Sequence, residues 1–291
     1  MNFCYGIEEP EGPVVLNDGS FLVVEMDPLK GCITHISKDG KKKKIIASTG
    51  RPNGLAIDSN GYIWAAESGN ASLIRVTMDG KVETFLKDCN GEEFLFPNDL
   101  AFGPDGKLYL TDSGISPSDF VINGKIRDDF KQIKYDGRIY VIDKDNKHIE
   151  KLDGGLKFTN GLAFGPSNDL FVNETITGNV YKYAWDGEKI LGKKEYYGNV
   201  IKEEEFEGLR GPDGMKFDKN GLLYVTVYGQ GDVTILGEDG KVFNRIKTEG
   251  SKPTNCVFGL EGTKSLFVTE VEKNALECFS VDIDGLPLFV P

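Results

Sequence analysis

Residues 96–112 read Phe96-Pro-Asn-Asp-Leu-Ala-Phe-Gly-Pro-Asp-Gly-Lys-Leu-Tyr-Leu-Thr-Asp112. An Asn behind a proline opens a short apolar run, a glycine-rich turn reverses the chain, and a second apolar run ends on a carboxylate. The phrase recurs along the chain. Counted from its polar first residue, the anchor, the copies are Glu11-Gly-Pro, Asn53-Gly-Leu-Ala-Ile-Asp, Asn98-Asp-Leu-Ala-Phe-Gly, Asn160-Gly-Leu-Ala-Phe-Gly, Asp213-Gly-Met-Lys-Phe-Asp and Asn255-Cys-Val-Phe-Gly. Pro10, Pro52, Pro97 and Pro212 stand directly before anchors, and a turn glycine follows eight residues after them at Gly19, Gly61, Gly106 and Gly221. The steps between anchors are 42, 45, 62, 53 and 42 residues. Repeats of about 40–50 residues built from short strands are the mark of propeller blades. The sequence therefore predicts an all-β chain. It is expected to be a single six-bladed β-propeller domain over residues 1–291, with four antiparallel strands per blade.

Glycine supplies 36 of the 291 residues, about 12 % against a usual 7 % or so. Much of the excess falls in Asp-Gly or Asn-Gly pairs such as 18-19, 39-40, 60-61, 105-106 and 220-221. Such pairs predict two-residue type I′ hairpin turns, in which both residues take φ > 0. No segment sustains a helical period. With 46 acidic against 34 basic side chains, the net charge of −12 opposes binding to nucleic acid or to an anionic membrane. Cys4, Cys32, Cys89, Cys256 and Cys278 are odd in number and widely spaced, which fits neither a disulfide framework nor a zinc cluster. They read as core residues of a cytoplasmic protein, as does an N-terminus with neither a basic segment nor an apolar run.

If the turn lies seven and eight residues after the anchor, the second strand runs back to about fourteen and ends beside it. That position holds Glu25, Glu67, Asp112, Glu174 and Val227, with Glu270 one place later in the last copy. With the anchor opening the innermost strand, six anchors meet at one mouth of the central channel. Two are acidic, Glu11 and Asp213, and four are amides, Asn53, Asn98, Asn160 and Asn255. Two carboxylates with carbonyl oxygens form a donor set for a hard divalent cation, whereas no His or Cys stands at an anchor to make a zinc site of the nitrogen and sulfur type. The same residues also have an ordinary reading. Asn and Asp close turns before strands, and the carboxylates fourteen residues on are acceptors for turn amides.

Together with Thr159-Asn-Gly-Leu-Ala-Phe164 and Gly211-Pro-Asp-Gly-Met215, these motifs resemble the senescence marker protein 30, gluconolactonase and luciferin-regenerating-enzyme-like family, which shares its propeller with diisopropyl fluorophosphatase. The resemblance implies one divalent metal cation in the channel, held by Glu11, Asn98, Asn160 and Asp213. Ca2+ comes first, with Mg2+, Mn2+, Zn2+ or Fe2+ as alternatives. Asn53 and Asn255 occupy anchors the family does not use as direct ligands, and they are expected to line the substrate pocket with Phe96. Phe96 stands where animal sugar-lactonase members carry an arginine that contacts the sugar, so a less polar or differently anchored lactone is indicated. Arg51 and Arg210 are either replacements for that arginine or rim residues. The long third step leaves an extra segment, residues 113–136, that is either a lid over the channel mouth or a pad on the blade's outer face.

The two histidines, His35 and His148, fall in outer parts of their blades, so a Ser-His-Asp or Cys-His arrangement has no base. The expected chemistry is a metal-dependent lactonase acting on a small-molecule sugar or aliphatic lactone. The cation polarises the carbonyl, Asp213 takes the proton from the attacking water, Asp112 is the second catalytic candidate, and Asp112 and Asp99, close to Asn98, are placed to orient amides or water. A phosphotriesterase-like hydrolase on the same residues and a non-catalytic NHL-type binding propeller remain alternatives. The sequence carries no signal for the oligomeric state.

Overall fold

The second strand of each repeat carries the densest apolar run, and it is buried on both faces. Every residue of Phe21–Glu25, Ile63–Glu67, Leu108–Asp112 and Leu170–Glu174 is buried in the computed structural model, which describes residues 2–291. Strands rich in Val, Ile, Leu and aromatic residues suit such a place, with a strand on either side and another blade above and below.

The described residues form six antiparallel four-stranded sheets. Their innermost strands, Pro10–Val15, Pro52–Ile57, Pro97–Phe102, Thr159–Phe164, Gly211–Phe217 and Pro253–Phe258, each open with the anchor region and each lie against the innermost strands of both neighbours, so the ring closes. Fourth strands such as Lys43–Ser48 and Val242–Lys247 are largely exposed. The sixth blade is completed by the N-terminal strand Asn2–Tyr5, which pairs with Ala275–Ser280 through Cys4 to Leu276 and Tyr5 to Ala275. Joining the two ends of the chain in one sheet leaves no gap in the ring.

The hairpins differ from the expected type I′. Gly19, Gly61, Gly106 and Gly221 have φ between 73° and 83°, but Asp18, Asn60, Asp105 and Asn220 before them take no positive φ. Gly19 N donates to Leu16 O at 2.9 Å and Leu16 N to Ser20 O at 2.8 Å, a three-residue loop repeated around Gly61, Gly106 and Gly221. A turn of the common hand followed by one left-handed glycine in a bulge needs only that single special residue.

Blades adhere through apolar seams. Trp64 meets Phe102 edge to face at 6.4 Å, Phe171 meets Phe217 at 4.8 Å and Phe21 meets Phe267 at 4.5 Å. Each fully buried side chain of this size adds about 1.5–3 kcal/mol. Beyond the sixth blade, the C-terminal segment crosses the channel mouth opposite the anchors. Lys219 N donates to Asp284 O at 3.0 Å, Leu286 N to Phe217 O at 2.9 Å and Ser59 N to Pro291 O at 3.0 Å, while Phe289 rests on Phe164 at 5.8 Å. Among the described residues no helix is long and apolar enough to cross a membrane.

Candidate functional site

At every anchor the ladder between the first two strands slips. The register shifts between Glu11 and Val14, Pro52 and Leu55, Pro97 and Leu100, Thr159 and Leu162, Pro212 and Met215, and Pro253 and Cys256. An irregularity of this kind frees a side chain from the up-and-down alternation of the sheet and re-aims it. The residue after the anchor reveals how tightly the ring is drawn. A Cβ added at Gly12 would stand 2.6 Å from Asn53 O, at Gly54 2.4 Å from Asp99 Oδ1, at Gly161 2.1 Å from Asp213 O and at Gly214 2.0 Å from Asn255 Oδ1. These glycines are the contact between one anchor and the next, which is why Pro-Asn-Gly and Pro-Asp-Gly recur.

Glu11, Asn53, Asn98, Asn160 and Asn255 are buried and Asp213 is half-buried. Burial pushes the carboxyl of Glu11 well above the usual range, and the charges of Asp213 and Asp99 push it further. Asp213 is raised in the same way by burial and by Asp99, with the Asn160 amide and Arg51 opposing. Asp99 is itself raised by burial, against the charge of Lys216. Negative groups gathered in a largely buried ring call for a compensating cation. Among the described residues no three His, Cys, Asp or Glu side chains form a group able to hold an ion. Any ion must therefore draw on amide oxygens as well.

The amides supply them selectively. Asn98 donates from Nδ2 to Ser113 Oγ at 3.0 Å and Asn160 from Nδ2 to Thr175 Oγ at 3.0 Å. The oxygens Asn98 Oδ1 and Asn160 Oδ1 are buried without any hydrogen-bond donor. Asn255 is used differently, since its Nδ2 donates to Glu11 Oε2 at 3.2 Å and its Oδ1 accepts from Cys256 N at 2.8 Å. It steadies Glu11. Asn53 completes the ring between Glu11 and Asn98, with its carbonyl against Gly12.

The carboxylates fourteen residues after the anchors have another task. Asp112 is fully buried, and it accepts from Leu95 N at 2.7 Å, Phe96 N at 3.1 Å and Gly114 N at 2.8 Å. Glu25 accepts from Glu8 N, Glu67 from Arg51 N, Glu174 from Lys157 N and Glu270 from Lys252 N, all at 2.6–2.8 Å. In these five blades the group holds the backbone just before the anchor strand. The expected catalytic role of Asp112 finds no geometric footing, because its oxygens are engaged by three amides; the turn-closing reading is the one the contacts describe.

Arg51, Phe96 and Phe158, each two places before its anchor, lie against one another. Phe96 is buried in a cluster with Ile115, Phe120, Phe130, Tyr135 and Phe158. Four of these belong to the inserted segment, which forms the helix Pro117–Phe120 and a small hairpin, Val121–Ile122 with Lys125–Ile126, and packs its apolar side chains against the residues before the anchors Asn98 and Asn160. Arg51 lies 5.5 Å over the Phe96 ring and donates from Nη1 to Ser68 Oγ at 3.0 Å. Burial draws its pKa down while Glu9, Glu67, Glu11 and Asp213 hold it up, which places its charge beside the anchors. Arg210 turns to its own loop, with Nη2 donating to Lys202 O and Glu204 O at 2.9 Å. Tyr228 was not singled out by the sequence, yet burial, then Asp213 and Glu9, push its phenol up to about 12. Ser113, Thr175 and Tyr228 all stand fifteen residues after an anchor, one place beyond the carboxylates, and that register was the available signal. His35 bonds Ser20 and His148 bonds Glu150, away from the ring.

Residues 10–272 match the SMP-30/Gluconolactonase/LRE-like region. A gluconolactonase of Zymomonas mobilis is 29 % identical over 283 residues, which covers 90 % of this chain and 76 % of that protein. The diisopropyl-fluorophosphatase of Loligo vulgaris is 30 % identical over 295 residues, covering 94 % of this chain and 90 % of that protein. Among solved structures, a gluconolactonase from Xanthomonas campestris has a TM-score of 0.76 at 22 % identity, covering 98 % of this chain and 89 % of the other, a likeness of fold.

Proposed function

We propose that this chain, which belongs to the SMP-30/gluconolactonase/LRE-like family, is a lactone hydrolase that works with one divalent cation held by Glu11, Asn98, Asn160 and Asp213. The observation that carries the reading is the pair of buried oxygens, Asn98 Oδ1 and Asn160 Oδ1, that no donor satisfies. A buried carbonyl oxygen without a partner is costly unless something positive comes to it. Two amide oxygens and two carboxylates suit Ca2+ before softer metals. When bound, such a cation neutralises the anchors and draws electron density from a substrate carbonyl.

The remaining work falls to the chain's own side chains. Asp213 is the proton acceptor for the attacking water, since it is the acidic anchor whose side chain is only half-buried, whereas Glu11 is buried and held by Asn255. It returns that proton to the ring oxygen as the lactone opens, so that lactone and water give one hydroxy acid. Glu11 is held in place by Asn255. Arg51 offers guanidinium donors beside the anchors for a substrate oxygen, and the Phe96 and Phe158 cluster keeps one wall of the mouth apolar. Asn53 borders the substrate space.

The test is a pH-stat screen of sugar and aliphatic lactones on metal-stripped protein, repeated with Ca2+, Mg2+, Mn2+, Zn2+ and Fe2+. Hydrolysis restored by one of them is expected. Hydrolysis that persists in protein verified as metal-free, or that none of the cations restores, sinks the reading. A phosphotriester substrate is the second reading, favoured by the fluorophosphatase relative that covers 94 % of this chain, and a fluorophosphate included in the screen decides between the two.

A further inference from the structure

Four anchors are asparagines, and of these Asn98 and Asn160 keep a fully buried oxygen to which nothing donates. The cause lies fifteen residues downstream. A hydroxyl has one proton to give and lone pairs to receive. Ser113 Oγ lies 3.0 Å from Thr159 O, a backbone carbonyl of the next blade that can only accept. The hydroxyl proton is thereby committed, and the Asn98 amide that meets the same oxygen at 3.0 Å has to bring its NH2. Thr175 repeats the device one blade on. Its Oγ donates to Pro212 O at 2.9 Å and receives Asn160 Nδ2 at 3.0 Å. In a planar amide the oxygen then stands on the other side, where nothing donates to it. A flipped amide would set oxygen against oxygen with no proton between them.

The other asparagines lack this arrangement. Ser68, the equivalent residue after Asn53, donates to Arg51 O at 2.7 Å and receives Arg51 Nη1 at 3.0 Å, so it is engaged by the arginine. Asn255 has Glu270 at that register, and its own oxygen already accepts from Cys256 N at 2.8 Å. We propose that Ser113 and Thr175 are positioning residues that lock the Asn98 and Asn160 amides with their oxygens free, and so select these two of the four asparagines as cation ligands. The inference rests on the reading of the anchors as a cation centre. Each hydroxyl also ties the ligand to the blade seam, because the proton that sets the amide is fixed by the neighbouring blade.

The experiment titrates CaCl2 into metal-stripped wild-type, Ser113→Ala and Thr175→Val protein by calorimetry, with melting curves of the stripped forms. Thr226→Val is the control. Its hydroxyl donates across a seam in the same way, to Thr254 O at 2.6 Å, but touches no anchor amide. Outer groups that orient ligands are worth about 10- to 100-fold in metal affinity. That loss is expected in Ser113→Ala and in Thr175→Val, while Thr226→Val lowers the melting temperature and keeps the wild-type Kd. Ser113→Thr and Thr175→Ser, which keep the hydroxyl, should bind nearly as the wild type does. Equal Kd in wild type and in the two truncations, or an equal loss in Thr226→Val, overturns the inference and leaves the cation centre standing. A wild-type chain that takes up no cation removes the centre itself and the inference with it. Should a truncation fail to fold, exchange of the asparagine side-chain amide protons in metal-free wild-type protein gives the answer. Protection at Asn98 and Asn160 supports the lock, and free exchange there refutes it.

Discussion

The two mouths of the channel are opposites. At the anchor end the ring gathers Glu11 and Asp213, whose pKa burial and the charge of Asp99 raise, and two amide oxygens that no donor reaches. At the other end Leu55, Leu100, Leu162, Phe217 and Val257 surround a cavity of about 390 Å3 that the segment Asp284–Val290 closes. Only a few residues separate them along each innermost strand. One end holds groups whose burial opposes folding, and the other, with the seams between blades, supplies apolar contact that offsets them. A site of reactive oxygens is kept by a fold whose stability comes from elsewhere.

The largest expected effect tests the anchor end. Asp213→Asn keeps an oxygen of the same size but removes the base, so kcat should fall by about 10²- to 10⁴-fold in protein whose metal occupancy has been measured. Asn98→Ala should instead weaken cation binding, with activity partly returned by excess cation. Asp112→Asn provides the contrast, since Asp112 holds three backbone amides. It should lower stability by about 1–3 kcal/mol and leave kcat within a few-fold. A wild-type kcat in Asp213→Asn at full occupancy would reduce Asp213 to a ligand.

Removing the cation comes next. A ligand bound by the folded chain alone adds RT ln(1 + [L]/Kd), about 2.7 kcal/mol at a hundredfold excess over Kd. A chelator should therefore lower the melting temperature and abolish hydrolysis together. An unchanged melting temperature after verified removal would leave the anchor charges without their counterion and contradict the contrast between the mouths.

The opposite mouth should respond in stability alone. Phe289 is half-buried against Phe164 at 5.8 Å, so Phe289→Ala should cost about 1–2 kcal/mol, below the usual loss for a fully buried ring. Its Kd for the cation should not move. A shift in that Kd would mean that the two mouths are mechanically coupled.

The anchors and their partners were legible because a propeller writes its geometry six times. The residue fourteen places on pairs with the residue before the anchor, as Pro97 with Asp112 and Thr159 with Glu174. What escaped depends on contacts that the repeat alone does not specify. Asn2–Tyr5 closes the sixth blade against strand Ala275–Ser280, a pairing set by ring closure with no local signal. The hairpin type escaped because Asp-Gly suits either turn and the strand register decides between them. Asp112 could be read as base or as turn acceptor, since a carboxylate beside a site carries the same letter in both. Ser113 and Thr175 acquire their role only through carbonyls of the next blade, Thr159 O and Pro212 O, which no one-dimensional pattern exhibits.

The smallest effect separates the anchor ring from the closing blade by pH. Glu277, on strand Ala275–Ser280, is buried and accepts from Glu249 N at 3.1 Å, and burial, with Glu270 and Glu249, pushes its carboxyl up to about 7 from an ordinary 4.5. Between those two values the folded chain holds a proton that the unfolded chain has released, so stability falls as pH rises from 4.5 to about 7 and levels off above. Glu11 and Asp213 are raised in the same direction and add to that fall in metal-free protein. A cation at the anchors favours their charged forms and cancels their share, whereas Glu277 lies in another part of the molecule and keeps its own. Melting temperatures across pH 4.5–7.5 should therefore slope downward in chelated protein, slope less with Ca2+, and slope least with Ca2+ in Glu277→Gln. If Ca2+ leaves the slope of the wild type unchanged, the anchor carboxylates are not what it binds. If Glu277→Gln leaves it unchanged in the presence of Ca2+, the residual dependence belongs to the channel after all.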